Sequence, residues 1–72
     1  MYDCEVIKIF GVLSSDEKYE KCFALVSWHG GKAKYDLRRW AVDGSEKIPL
    51  KGIALSEDEA KKLYETLKEH FG

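Results

Sequence analysis

The sequence predicts an α+β fold: a four-stranded antiparallel β-sheet followed by one C-terminal α-helix, in the order β-β-β-β-α. Three observations carry this. Four runs rich in Val, Ile, Phe, Tyr and Trp are separated by short clusters of turn-forming residues. The run "SEDE" at Ser56–Glu59 is a capping box, and the apolar residues behind it recur at helical spacing. All the strands precede the helix, an order that belongs to α+β rather than α/β domains.

The elements follow in turn. The first strand covers about Cys4 to Leu13, and the polar group Ser14 to Lys18 makes a turn. The second strand runs about Tyr19 to His29 and meets Gly30-Gly31, a pair suited to the positive φ angles of a two-residue hairpin loop. The third strand covers about Lys32 to Val42 and ends in the turn Asp43-Gly44-Ser45. A fourth, about Lys47 to Leu55, has Pro49 near its start, which suits an edge or an irregular entry. Ser56 then caps a helix whose first turn carries Glu57, Asp58 and Glu59, placed to favour the positive end of the helix dipole. Ala60, Leu63, Tyr64, Leu67 and Phe71 form an amphipathic stripe expected to pack on the sheet.

A Gly30-Gly31 loop would set Val26 opposite Tyr35, Ala24 opposite Leu37 and Trp28 opposite Ala33. Directly opposed residues share a face. One face then collects Cys22, Ala24, Val26, Trp28, Tyr35 and Leu37, an apolar surface for the helix to cover. The other collects Lys21, Phe23, Leu25, Ser27, His29, Lys32, Lys34, Asp36, Arg38 and Trp40, with Phe23 facing Arg38 and Lys21 facing Trp40. That second face mixes cations with aromatic rings. Single-strand nucleic-acid binders use this mixture, because lysine and arginine track phosphates while flat rings accept unstacked bases. Charged residues on the open side of an antiparallel sheet are more often simply solvated.

Composition narrows the classes. At 72 residues the chain reads as one domain, residues 1–72, with a core that is marginal alone, since a chain this short buries only about 60% of its unfolded surface. No run approaches the ~20 apolar residues of a membrane span. The N-terminal "MYDCEVIKIFG" is acidic and broken by charges, unlike a signal peptide. A cytoplasmic protein, nucleoid-associated if bacterial, is the expectation. Net charge is −1, but residues 21–51 hold seven basic residues against three acids, between two acidic ends. Such asymmetry can build a local anion-binding face on a nearly neutral protein. Cys4 and Cys22 lack metal-ligand spacing. They read as small buried residues, and with Cys4 facing Trp28 and Cys22 facing Phe10 they would stand roughly 20 Å apart, beyond disulfide reach. No nucleophile–base set, phosphate loop or metal spacing points to an enzyme or a cofactor. His29 at a turn and His70 in the last helical turn read as structural or solvated residues.

The stretch "LVSWHGGKAKYDLRRWAVDGSEKIPLKGIALSEDE" resembles the core of the transcriptional positive cofactor four family, general coactivators that bind single-stranded DNA, and is similar to its small bacterial YdbC-like branch. "KYDLRRW" and "KGIALS" carry the resemblance, in the right order before the helix. It implies a curved sheet, a homodimer formed partly through the helix, and β surfaces presented to single strands. It assigns Arg38 to the arginine of the family's DNA-binding strand and Lys51 to the lysine before its glycine. Trp40 falls near the family aromatic, which stands one residue further on in the eukaryotic pattern, and Lys47 near another lysine. Lys32 and Lys34 belong to the shortened hairpin "HGGK". Lys51 shares parity with Ile53 and Leu55, so its exposure requires an irregularity near Gly52.

The leading reading is a non-catalytic, homodimeric single-stranded DNA-binding protein acting in transcription, replication or repair, with transcription or replication proteins as further partners. Lys21, Phe23, Lys32, Lys34, Arg38, Trp40, Lys47 and Lys51 would form its nucleic-acid surface. Tyr64, Leu67 and Phe71, beyond what one thin sheet covers, would lie at the dimer interface. The alternatives are an RNA-binding protein and a protein-interaction module that offers the same sheet to an acidic partner.

Overall fold

The structure, a computed structural model, describes residues 3–72. It contains β1 (Cys4–Ser15), β2 (Tyr19–Trp28), β3 (Lys34–Asp43), β4 (Glu46–Leu55) and α1 (Glu57–Phe71). The strands form one antiparallel sheet in the order β1-β2-β3-β4, so β1 and β4 are its edges. The α+β order read from the sequence is the one observed.

Local chemistry explains each junction. Between β1 and β2, Asp16 Oδ1 accepts from the amides of Lys18 and Tyr19 at 2.8 Å each, closing a tight turn. Those two amides hold the Asp16 carboxyl below its ordinary pKa. The capping box forms as predicted: Ser56 Oγ accepts from the Glu59 amide, and Glu59 Oε1 accepts from the Ser56 amide at 2.8 Å.

The β2–β3 turn departs from expectation. Its central residues are His29 (φ 54°) and Gly30 (φ 70°), and the Gly31 amide donates to Trp28 O at 2.9 Å. Two consecutive positive φ angles define a type I′ hairpin turn. The turn therefore sits one residue earlier than a Gly30-Gly31 loop. The strands pair Cys22 with Arg38, Ala24 with Asp36 and Val26 with Lys34, one residue out from the expected register. The earlier turn alone would move the register by two and keep the faces, and one extra residue on the β3 side of the turn takes back one of the two. Because side chains alternate, such a slip turns all of β3 over relative to β2.

One face now carries Glu20, Cys22, Ala24, Val26 and Trp28 of β2 with Lys34, Asp36, Arg38 and Trp40 of β3. The other carries Lys21, Phe23 and Leu25 with Tyr35, Leu37 and Arg39. The helix lies on this second face, where Glu57, Ala60, Lys61 and Tyr64 border a hollow with Phe23 and Tyr35. The expectation that it covers Cys22, Ala24 and Val26 is corrected accordingly.

The buried core lies instead on the helix-free face: Cys22, Ala24, Val26 and Trp40, with Cys4 and Trp28 packed against them. Small residues along β2 leave room for the two indole rings to lie across the sheet, so this layer covers itself. The edges assist. β1 carries irregularities between Val6 and Lys8, Ile9 and Gly11, and Val12 and Ser14, each leaving one extra residue. Val6, Ile9 and Val12, three residues apart, consequently stay on the core side. A further irregularity separates the pairs Arg38–Gly52 and Trp40–Pro49. Bulges increase local twist and bend a strand.

The amphipathic stripe of α1 divides. Ala60 and Leu63 are half-buried, whereas Tyr64, Leu67 and Phe71 are exposed, Phe71 by 79%. Packing of the whole stripe on the sheet is therefore not observed, because only the first turns of the helix lie near the strands.

Candidate nucleic-acid interface

The central feature of the helix-free face is built on the alternation Asp36-Leu37-Arg38, which sends Asp36 and Arg38 to the same side. Asp36 is 1% exposed. Arg38 Nε donates to Asp36 Oδ1 at 2.8 Å, and Nη2 donates to Oδ2 at 3.1 Å, a two-pronged pair. Trp28 Nε1 donates to the same Oδ2 at 3.1 Å. Arg38 Nη1 reaches across to β4 and donates to Leu50 O at 2.7 Å. The guanidinium lies 4.7 Å from the centroid of the Trp28 ring, a cation–π arrangement.

Gly52 makes room for this. It pairs with Arg38, and a Cβ there would stand 2.6 Å from Arg38 Cβ and 2.7 Å from Arg38 Cα. The glycine of the lysine–glycine step is thus a steric requirement of the arginine opposite.

The proposed site residues separate. Arg38 is on the helix-free face as predicted, but its side chain is only 15% exposed, so it is a structural bracket as well as a cation. Lys34 shares this face and is exposed, and Lys32 is exposed beside the hairpin turn. Lys47 also reaches this side, where Nζ donates to Glu20 Oε1 at 2.6 Å. That bond holds the Glu20 carboxyl below its ordinary pKa.

Three placements are corrected. Trp40 is 3% exposed and belongs to the core, so it offers no ring for stacking in this structure. Phe23 is on the helix face, where its ring lies 5.6 Å from Phe10 and 5.9 Å from Tyr35. Lys21 is also on the helix face, directly opposite Arg39. The cause in each case is the one-residue register shift. Lys51 is exposed, as expected, but not on the Arg38 face: the irregularity falls between the Arg38–Gly52 and Trp40–Pro49 pairs, leaves Lys51 on the helix side with Ile53, and lets it border a hollow with Lys21, Leu37, Arg38 and Arg39.

Sequence reasoning missed Trp28 and Arg39. Trp28 is the half-buried indole of the helix-free face. A β2–β3 loop with an odd number of residues, which glycine at both 30 and 31 permits, would have placed it there. Burial pushes the thiols of both Cys22 and Cys4 above their ordinary pKa. Among the described residues no group of His, Cys, Asp and Glu is placed to hold a metal ion.

The structure thus presents an antiparallel sheet with a fixed arginine–tryptophan pair on its open face, exposed lysines at the adjoining hairpin, and a capped helix behind it. No curated protein matches the chain at a significant level. The profile of the family described as Transcriptional Coactivator p15 (PC4) matches residues 17–66, from the β1–β2 turn into the helix. That span is well over half of the sequence and contains the whole Asp36–Arg38–Gly52 arrangement, so the chain belongs to the transcriptional coactivator p15 (PC4) family of DNA-binding proteins.

Proposed function

We propose that this protein is a non-catalytic, homodimeric single-stranded DNA-binding protein that holds melted or displaced DNA in transcription, replication or repair. The observation that carries the reading is the Asp36–Arg38–Trp28 bracket on the helix-free face. It immobilises a cation against an aromatic ring without a helix above them. Arg38 uses three of its five N–H groups in the bracket. The remainder can meet a phosphate, and Trp28 offers its accessible part to a base. Lys32 and Lys34 extend the charge along the hairpin.

Dimerisation is proposed through the opposite face. Phe10, Ile53, Tyr64, Leu67 and Phe71 are all exposed there or on the helix. A second copy covering them would supply the apolar burial that a chain of this length lacks.

The test is a titration of a labelled thymine-rich single strand, a duplex of equal length and an RNA version, following Trp fluorescence. Single-stranded DNA should bind more tightly than the duplex and quench the signal. Trp28→Ala should cost about 1–3 kcal/mol of single-strand binding, the range for one base stacked on an aromatic side chain. Equal binding of duplex and single strand, or heparin weakened as much as DNA by Trp28→Ala, would defeat the proposal and favour an electrostatic surface for an acidic protein.

A further inference from the structure

Lys21 and Arg39 stand directly opposite each other in the β2–β3 ladder, on the face away from Arg38 and Trp28. Like charges in that position repel and destabilise a sheet. Lys51 joins them from the irregular part of β4, so three cations converge on one hollow of about 340 Å³, with Leu37 and Arg38 completing its lining. Among the described residues no ion pair involves any of the three, whereas Arg38 and Lys47 are paired with Asp36 and Glu20. The acids closest in sequence are committed elsewhere. Asp16 feels Arg39 but is held by the Lys18 and Tyr19 amides, and Glu20 is bound to Lys47 on the other face.

We propose that Lys21, Arg39 and Lys51 form a second phosphate-binding station, which takes the backbone of a single strand as it leaves the Arg38 face around the β4 edge. The inference rests on the single-strand reading above. Its geometry favours phosphodiester over carboxylate. Arg39 is steadied over the Tyr19 ring at 4.1 Å and so presents an ordered planar fork, the shape that matches phosphate oxygens. Two flexible lysines flank it as point charges. The route between the faces is open, because β4 is an edge strand and its helix-free side at that level carries only Gly52 and Ala54, both exposed. A sugar–phosphate chain can pass there without meeting a large side chain. An anion in the hollow also relieves the repulsion between Lys21 and Arg39.

The experiment compares the intact protein with a Lys21→Gln, Arg39→Gln double variant, using labelled thymine strands of about 4 and about 16 nucleotides, which bracket the site sizes of single-strand grooves. The short strand should bind both proteins alike through the Arg38 face. For the long strand, loss of two phosphate contacts should flatten the slope of log K against log salt by about 1.4, so the advantage of the unaltered protein shrinks about seven-fold between 50 and 200 mM salt. The charge-preserving Arg39→Lys variant should keep most of the slope. Thermal melting of the free double variant should match or exceed that of the parent, which separates lost binding from lost folding. Equal long-strand slopes for parent and variant overturn the second station while leaving the single-strand reading intact. Failure of the parent to bind either strand overturns both. Loss of binding to polyglutamate alone, with DNA unaffected, assigns the hollow to an acidic protein and also overturns it.

Discussion

Removing the Arg38 side chain should destabilise the fold as well as weaken binding. An exposed ion pair is worth about 0–1 kcal/mol, so truncating one partner there is nearly silent. Here Asp36 is 1% exposed and the Arg38 side chain 15%. Arg38→Ala takes away two of the three donors that satisfy the Asp36 carboxylate and leaves only Trp28 Nε1. It also strips the donor from Leu50 O. Breaking a buried pair in this way costs about 3–5 kcal/mol. Total stability at about 0.05–0.15 kcal/mol per residue is about 4–11 kcal/mol for a chain of this length, so a large part of it would go. Urea unfolding at pH 7 measures the loss as a fall in midpoint at constant slope. Replacing both partners, Asp36→Leu with Arg38→Met, should restore most of the midpoint but not single-strand binding, because it removes the buried charge together with its counter-ion. An Arg38→Ala midpoint within about 0.5 kcal/mol of the parent would refute the reasoning.

The other predictions are these. Gly52→Ala forces a methyl group against Arg38 and should cost at least the 1–3 kcal/mol of ordinary overpacking, read by urea unfolding. Leu67→Asp with Phe71→Asp should convert a two-fold dimer into a monomer of 8.3 kDa by sedimentation, with the helix still formed. Trp40, being buried, should resist acrylamide quenching, and Trp40→Phe should leave the DNA-dependent fluorescence change to Trp28. Glu20 has its carboxyl pKa lowered by Lys47, so the stability it contributes is present above the unfolded value of about 4.3 and is lost as pH falls through the lower folded value. Glu20→Gln should therefore flatten the acid limb of the stability profile below about pH 4.3.

The order of elements and the capping box were legible because each rests on chemistry a few residues long. Serine three positions before glutamate can reach the helix amides whatever else the chain does. Which side chains share a face was not legible, because it depends on one integer, the register, and a single extra residue between Trp28 and Lys34 changes its parity. Glycine at both turn centres looks easier, yet His29 adopts φ 54°. The consequence ran through the site: Trp28 and Trp40 exchanged roles, and Lys21 and Phe23 moved to the helix side. Arg38 and Asp36 stayed together because the local D-x-R alternation sends both to one side whatever the register, whereas Trp28, expected on the opposite face, joined them.

The irregular outer strands have a consequence for how this protein avoids harmful association. An unpaired, apolar edge invites strand-by-strand growth with other chains. β1 is such an edge in composition, with Ile7, Phe10 and Leu13 all at least 45% exposed. Its three interruptions break the even spacing of free amides and carbonyls that an incoming strand needs, and the interruption in β4 does the same on the far side. Neither margin is a flat template. Strand-by-strand addition of further copies at either margin is thereby disfavoured, and with it the growth of open-ended ribbons.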